Sequence, residues 1–249
     1  MDITIVFVLL IGFLATLVRS TFGFGESLLA VPLFLLFLPV DTAVPLSVLL
    51  SVLVALVVVV QDHRQIHFSS AKWLILCAVP GIPLGLLILL YGNEQWVKTG
   101  LGLLIVAYAL YALSGQQKRQ LEKDHPLWLL GCGFISGVLG GAYGLNGPPL
   151  VIYGRLRQWQ PSHFRATLQA YFLPASCLGL AGYAIKGLLT PTVWTYFCWS
   201  LPAVIPAIFL GRYFNRKLKS QVFFTYVYLL LVLIGLFLVV HTLYLSDRH

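Results

Sequence analysis

The sequence predicts an all-α polytopic membrane protein made of two inverted five-element repeats, each opening on a glycine-broken helix pair. Three observations carry this. Apolar residues make up 59% of the 249 and charged ones only 10%, against roughly 45–50% and 25% in soluble domains; the mean hydropathy is +0.90. The second half of the chain restates the first. The basic residues collect in alternate loops.

The elements follow from apolar runs near the ~20 residues that a spanning helix needs. Residues 3–20 form the first and residues 27–38 the second; Thr21-Phe22-Gly23-Phe24-Gly25-Glu26 interrupts what hydropathy alone would join. The third covers 44–61, the fourth 72–91 and the fifth 96–113, before a polar linker from Gly115 to His125. The pattern then restarts: 127–141 and 148–155 flank Ala142-Tyr143-Gly144-Leu145-Asn146-Gly147, and further helices are expected at 165–186, 191–213 and 221–244. Pro148 and Pro149 suit a first helical turn, where a missing amide hydrogen costs nothing. The resulting division is a first membrane repeat at 1–114, a cytoplasmic linker at 115–126 and a second repeat at 127–249.

A shift of 121 lays Gly12-Phe13 on Gly133-Phe134, Phe22-Gly23 on Tyr143-Gly144 and Leu29 on Leu150. A shift of 126 lays Trp73 on Trp199, Pro80 on Pro206, Ile82 on Ile208 and Leu84-Gly85 on Leu210-Gly211. Coincident Trp, Pro and Gly are hard to obtain by chance in a leucine-rich chain, so the match reads as an internal duplication.

Five elements per repeat is an odd number, which sets the halves in opposite orientations. If each broken pair leaves the chain on the side where it started, twelve of the sixteen Lys and Arg fall on one face, including Arg64, Lys118, Arg119, Arg165 and Arg212. The other face receives Lys98, Lys186 and Arg248, while Arg19 lies inside the membrane region. Cytoplasmic loops hold the Lys/Arg excess, so both termini are expected on the periplasmic side. The net charge of +8 is then a mark of orientation, and no nucleic-acid partner is expected. The N-terminus has no basic region or small-residue cleavage site, and the first helix is expected to remain in the mature protein.

Inverted repeats with interrupted helices recur in secondary transporters, whose substrate sites lie near the midplane where half-helix ends meet. A helix begins with unpaired amide hydrogens and a partial positive charge. Breaks at 20–27 and 141–148 therefore make a candidate anion site. Between Ile3 and Leu38 the ionisable residues are Arg19 and Glu26, one on each side of the first break. A charge in the bilayer interior costs at least about 2.5–3.5 kcal/mol and so needs a partner or a purpose. Arg19 suits attraction of an anion, and Glu26 suits charge balance or carriage of a proton; a structural ion pair joining the half-helices fits the same residues. Thr21, Gly23, Gly25 and Ser27 complete the first break, and Tyr143, Gly144, Asn146 and Gly147 the second. Asn146 offers an amide donor and acceptor, although a plain turn or cap would also use it. Gly137, Gly140, Gly141 and Gly144 have small-x-x-x-small spacings that equally serve close helix packing. Arg165 opens the eighth element with Gln169 one turn deeper; Arg165 suits either an anion contact or a snorkelling cytoplasmic arginine.

Cys77, Cys132, Cys177 and Cys198 lie singly in apolar runs and read as buried small hydrophobes. Asp62, His63 and His67 have no fourth ligand, so no metal is expected, nor any cofactor.

The stretch Gly12-Phe-Leu-Ala-Thr-Leu-Val-Arg-Ser-Thr-Phe-Gly-Phe-Gly-Glu-Ser-Leu-Leu-Ala-Val-Pro-Leu33 resembles the first signature of the sulfite exporter TauE/SafE family. Gly133-Phe-Ile-Ser-Gly-Val-Leu-Gly-Gly-Ala-Tyr-Gly-Leu-Asn-Gly-Pro-Pro-Leu-Val-Ile-Tyr-Gly154 resembles the second. The resemblance implies a bacterial inner-membrane permease, not an enzyme, with sulfite, sulfoacetate and related organosulfonates as cargo. The first signature departs from the pattern: Phe24-Gly25-Glu26 stands where many members have a run of glycines. The partners expected are a small anion and the lipid bilayer, with a homodimer as the assembly. Two alternatives remain at this level. One is a permease for an unrelated small carboxylate or inorganic anion. The other is a thiol–disulfide electron shuttle, which would need reactive cysteines at equivalent places in both halves; the four here do not align.

Overall fold

The computed structural model describes residues 3–114, 121, 124–159, 161–217 and, further on, 229, 232, 233, 235–237, 239 and 240. Most of the linker and of the tenth expected element, with Lys118, Arg119, Lys123, Lys219 and Arg248, lies outside the described residues. The chain is all-α: α1 (Ile3–Phe22), α2 (Glu26–Phe34), α3 (Val40–Asp62), α4 (Phe68–Ala78), α5 (Gly81–Tyr91), α6 (Glu94–Leu113), α7 (Pro126–Tyr143), α8 (Gly147–Leu156), α9 (Pro161–Ile185) and α10 (Pro191–Lys217). A short 3-10 turn, His63–Gln65, follows α3.

Among the described residues, five stretches are long and apolar enough to cross a bilayer: Ile3–Phe22, Val40–Gln65, Pro126–Tyr143, His163–Ile185 and Pro191–Asn215. The fourth expected element is corrected: 72–91 is not one helix but α4 and α5, bent by 44°. Pro80 has no amide hydrogen to continue the ladder, and its ring crowds the turn before it. The eighth element also begins earlier than expected, at Pro161, so Arg165 lies in its second turn. At nine and ten residues, α2 and α8 are about 14–15 Å long, half the ~30 Å hydrocarbon thickness.

Helix packing is reciprocal between the halves. The first helix of one half packs on the fourth element of the other: α1 against α10, and α7 against α4 and α5. At the centre α3 packs on α9. Glycines permit the close crossing of α7. A methyl group on Gly137 would come within 2.3 Å of the Ala78 carbonyl oxygen, and one on Gly141 within 2.2 Å of that of Ile82. For these two glycines, close packing is what the spacing serves.

The apolar outer face carries exposed Leu10, Leu14, Trp73, Leu76, Leu130 and Phe209, as a lipid-facing surface should. The interior holds the polar side chains Arg19, Glu26, Ser51, Ser136, Asn146, Gln169 and Ser176. This distribution corrects the reading of the cysteines: Cys132 is buried and Cys77 half-buried, but Cys177 and Cys198 face outward. In a membrane chain an apolar neighbourhood is as often lipid as protein.

Candidate functional site

Each break is set by a glycine in the left-handed region. Gly23 has φ +86° directly after α1, and Gly144 has φ +65° directly after α7. A side chain at either position would meet its own backbone. The Gly144 N–H donates back to the Gly140 carbonyl (2.9 Å) and that of Leu145 to Leu139 (3.1 Å), which closes α7. Gly25, at φ +99°, turns the chain into α2. The start of α2 and the second break then line one small cavity, with Arg19, Gly25, Glu26, Ser27, Ser51, Gly144, Asn146, Gly147 and Phe172 on its wall.

The cavity lies at mid-depth. Ser51 is equidistant from the two ends of α3, Val40–Asp62, about 16–17 Å from each. Its hydroxyl accepts from Arg19 Nη1 at 2.6 Å. Arg19 is 2% exposed, and its remaining contacts fix the guanidinium plane. Nε and Nη2 both donate to Gln169 Oε1, at 3.2 and 2.8 Å. Nη1 also pairs with Glu26 Oε2. The Phe172 ring lies 4.9 Å from the guanidinium carbon, a cation–π contact. Gln169 is in turn held by its own Nε2, which donates to the Gly23 carbonyl at 2.7 Å. The interrupted backbone thus orients the amide that orients the arginine.

On the other wall, Asn146 Nδ2 donates to Ser176 Oγ at 3.4 Å, and Ser176 is 3.3 Å from Ser51. Tyr171 donates to Ser136 at 2.9 Å, and Ser136 donates to the Asn146 carbonyl at 2.6 Å. Tyr183 donates to the buried carbonyls of Gly140 (3.2 Å) and Gly141 (2.8 Å) at the end of α7. The polar groups of both breaks are therefore largely satisfied by protein, as a water-poor interior requires.

The residues singled out from the sequence separate into three groups. Arg19, Gly25, Glu26, Ser27, Gly144, Asn146 and Gly147 line the cavity; Gly23 and Gln169 stand directly behind it. Thr21 turns away, donating to the Leu17 carbonyl at 2.7 Å, and its own carbonyl accepts from Asn215 at 2.5 Å. Tyr143 points to α6, its hydroxyl beside Gly100. Arg165 is not at the cavity: its backbone backs Gly23, and its guanidinium is 3.7 Å from Asp62, which also meets Arg212 at 3.4 Å. Nothing in the sequence marks Ser51, Ser176 and Phe172 as members of this group. A serine inside an apolar run is a weak signal, because it can bond to its own helix backbone.

The arrangement offers a fixed cation, a neutral amide and the start of α2 to something negative at mid-depth. The space is small, about 20 Å³, the room of a water molecule or two. The four cysteines are free, and none lines this cavity.

Comparison with known proteins bears on what such a cavity holds. A family model described as Sulfite exporter TauE/SafE matches residues 8–238. The Probable sulfite/organosulfonate exporter TauE of Cupriavidus necator is 26% identical over 198 residues, covering 78% of this chain and 76% of its own. No solved structure matches.

Proposed function

From the premise that the chain belongs to the sulfite exporter TauE/SafE family, we propose that it is a secondary transporter exporting a small sulfur-containing oxyanion across the bacterial inner membrane. Sulfite or an organosulfonate such as sulfoacetate is the cargo. The observation that carries this reading is the buried Arg19 at the meeting of two half-helices, at mid-depth of a polytopic bundle. Arg19 attracts the anion. The first amides of α2 and the Asn146 side chain replace part of its hydration. Glu26 carries a proton where transport is proton-linked.

The reciprocal packing of α1 on α10 and α7 on α4–α5 supports two repeats that move against one another, the first at 1–114 and the second at 127–249. The twelve basic residues on one face support periplasmic termini. The cavity is too small for a multi-atom anion as it stands, so on this reading it widens when cargo enters. Outward movement of an anion gains about 2.3 kcal/mol per net charge per 100 mV of negative-inside potential.

Proteoliposomes loaded with labelled sulfite, sulfoacetate, taurine or sulfate test this. The wild type should release sulfite or sulfoacetate faster than protein-free vesicles loaded alike, Arg19→Ala should not, and Asn146→Ala should release it more slowly than wild type. Normal transport by both variants would show that the site lies elsewhere.

A further inference from the structure

The cation of the site is already occupied. A guanidinium has five N–H donors, and four of them are used within the protein: both of Nη1, on Glu26 and Ser51, and those of Nε and Nη2 on Gln169. Phe172 covers one face. An oxyanion takes an arginine best through two parallel N–H donors, and the single remaining Nη2 donor cannot supply them. Of the protein partners, Ser51 and Gln169 are neutral, so one group alone holds Arg19 by charge: the Glu26 carboxylate. Glu26 stands where an anionic cargo would stand.

We propose that Glu26 is the occupant of the anion site in the empty carrier, and that each anion displaces it from Arg19 only when Glu26 takes up one proton. The proposal rests on the functional reading above and specifies its coupling. The charges around Glu26 make the exchange strict. From α1 it faces Arg19. From α3 it faces Ser51, with Ser47 reaching Ser27 at 3.4 Å; across the cavity stand Asn146 and Phe172, and behind Arg19 stands Gln169. Arg19 and Glu26 are the only charged side chains lining the cavity among the described residues. Arg165 and Asp62 lie beyond Gly23 and are paired with each other.

Removing Glu26 from Arg19 while it stays ionised would leave a second negative charge beside the cargo in a buried site, with no other cation to meet it. Its Oε1 is buried and accepts no hydrogen bond among the described residues, which offer the displaced carboxylate no compensating donor. A proton from the water on the open side resolves this: Glu26 becomes a neutral acid, the anion takes its two-donor place on Arg19, and both leave on the far side. Charge then balances. The cavity is neutral when empty and neutral with a monoanion bound, while a dianion gives it one net negative charge. The membrane potential can therefore drive export of a dianion such as sulfoacetate or ionised sulfite, but does no work on a monoanionic sulfonate.

The test uses the purified full-length protein, sulfoacetate as probe, weak buffer and a pH-indicator dye. In wild type, binding should take up about one proton per anion, and apparent affinity should weaken about tenfold per pH unit above the carboxyl's titration. Glu26→Gln should bind without proton uptake and with no pH slope; Glu26→Asp should keep both. Wild-type binding with no proton uptake overturns the proposal whatever the variants do, as does proton uptake that persists in Glu26→Gln. If Arg19→Ala binds sulfoacetate normally, the site itself is wrong. If wild type binds neither sulfoacetate nor sulfite, the cargo is wrong and the coupling falls with it.

Discussion

The two helix breaks share a backbone and differ in charge. Gly23 and Gly144, 121 residues apart, take the same left-handed turn directly after Phe22 and Tyr143. The half-helices α2 and α8 begin three residues later in both cases, at Glu26 and Gly147. The same shift lays Arg19 on Gly140 and Glu26 on Gly147. Where the first break has a buried ion pair, the second has two hydrogen atoms. The backbone donors differ too. The first turn of α2 presents the amides of Glu26, Ser27 and Leu28, whereas Pro148 and Pro149 leave α8 with two fewer. One break supplies charge and donors, and the other supplies shape and a neutral amide. A second arginine at mid-depth would add to the desolvation cost of ionised groups.

The largest effect should come from breaking the charged side of this comparison. Arg19→Ala leaves the Glu26 carboxylate buried at 1% exposure without a cation, a loss of about 3–5 kcal/mol. Its thermal unfolding in detergent should fall well below that of wild type. Glu26→Gln introduced on top should restore much of that stability but not anion binding, since the neutral pair packs without attracting anything. If the double variant is no more stable than Arg19→Ala alone, the pair is not what holds the first break.

A smaller effect sharpens the neutral side. At Gly140, the position that the 121 shift sets against Arg19, Asn146 fills the space beside the backbone: a methyl group on Gly140 would lie 1.6 Å from Asn146 Oδ1. Gly140→Ala must turn that amide away from Ser176, at a cost of about 1–3 kcal/mol. Asn146→Ala alone forfeits a long hydrogen bond, about 0.5–1.5 kcal/mol. Combined, the new methyl enters the space the amide vacates. The double variant should therefore be more stable than the sum of the singles by about 1 kcal/mol, read by thermal unfolding. Additive losses would mean that Asn146 does not fill the space beside Gly140.

Much of this contrast is legible in the sequence. Glycines inside an otherwise apolar run mark both breaks, with a carboxylate in the first and an asparagine in the second, because hydrocarbon tolerates irregular backbone only where protein covers it. Their meeting at one cavity requires the two halves to pack face to face, which hydropathy does not specify. The α3 and α9 contributions are illegible for the same reason: nothing local distinguishes Ser51 and Ser176 from serines that bond their own helix. Arg165 illustrates the reverse difficulty. Its expected place at a helix start suits a snorkelling arginine, yet it lies in the second turn of α9 and its partner Asp62 lies 103 positions earlier in the chain. Pro80 lies inside the apolar run 72–91, where hydropathy alone does not mark the break that proline makes in the helical ladder.

The smallest effect concerns what braces each break from behind. Behind the first, Asp62 joins Arg165 and Arg212 across α3, α9 and α10. Behind the second, Asp124 accepts from Tyr153 at 2.6 Å, Arg157 at 2.9 Å and Ser70 at 2.8 Å, tying the end of α8 to α4. Partial burial works to raise the Asp124 pKa. The hydrogen bonds from Tyr153 and Ser70, with the charge of Arg157, outweigh it and hold the carboxyl below its usual range. A carboxyl depressed in the folded state stabilises the protein above its unfolded pKa of ~3.9 and ceases to do so as pH falls through the lower folded value. Asp124 is part-exposed, so the contribution at neutral pH is modest, about 0.5–1 kcal/mol. Asp124→Asn should therefore lower the melting temperature slightly at pH 7 and flatten its decline below about pH 4. It should leave Arg19-dependent anion binding in place, because the brace touches α8 and not the guanidinium. An Asp124→Asn variant that loses binding as completely as Arg19→Ala would mean that the second break's hold on α8 is part of anion recognition, and the division of labour between the breaks would have to be redrawn.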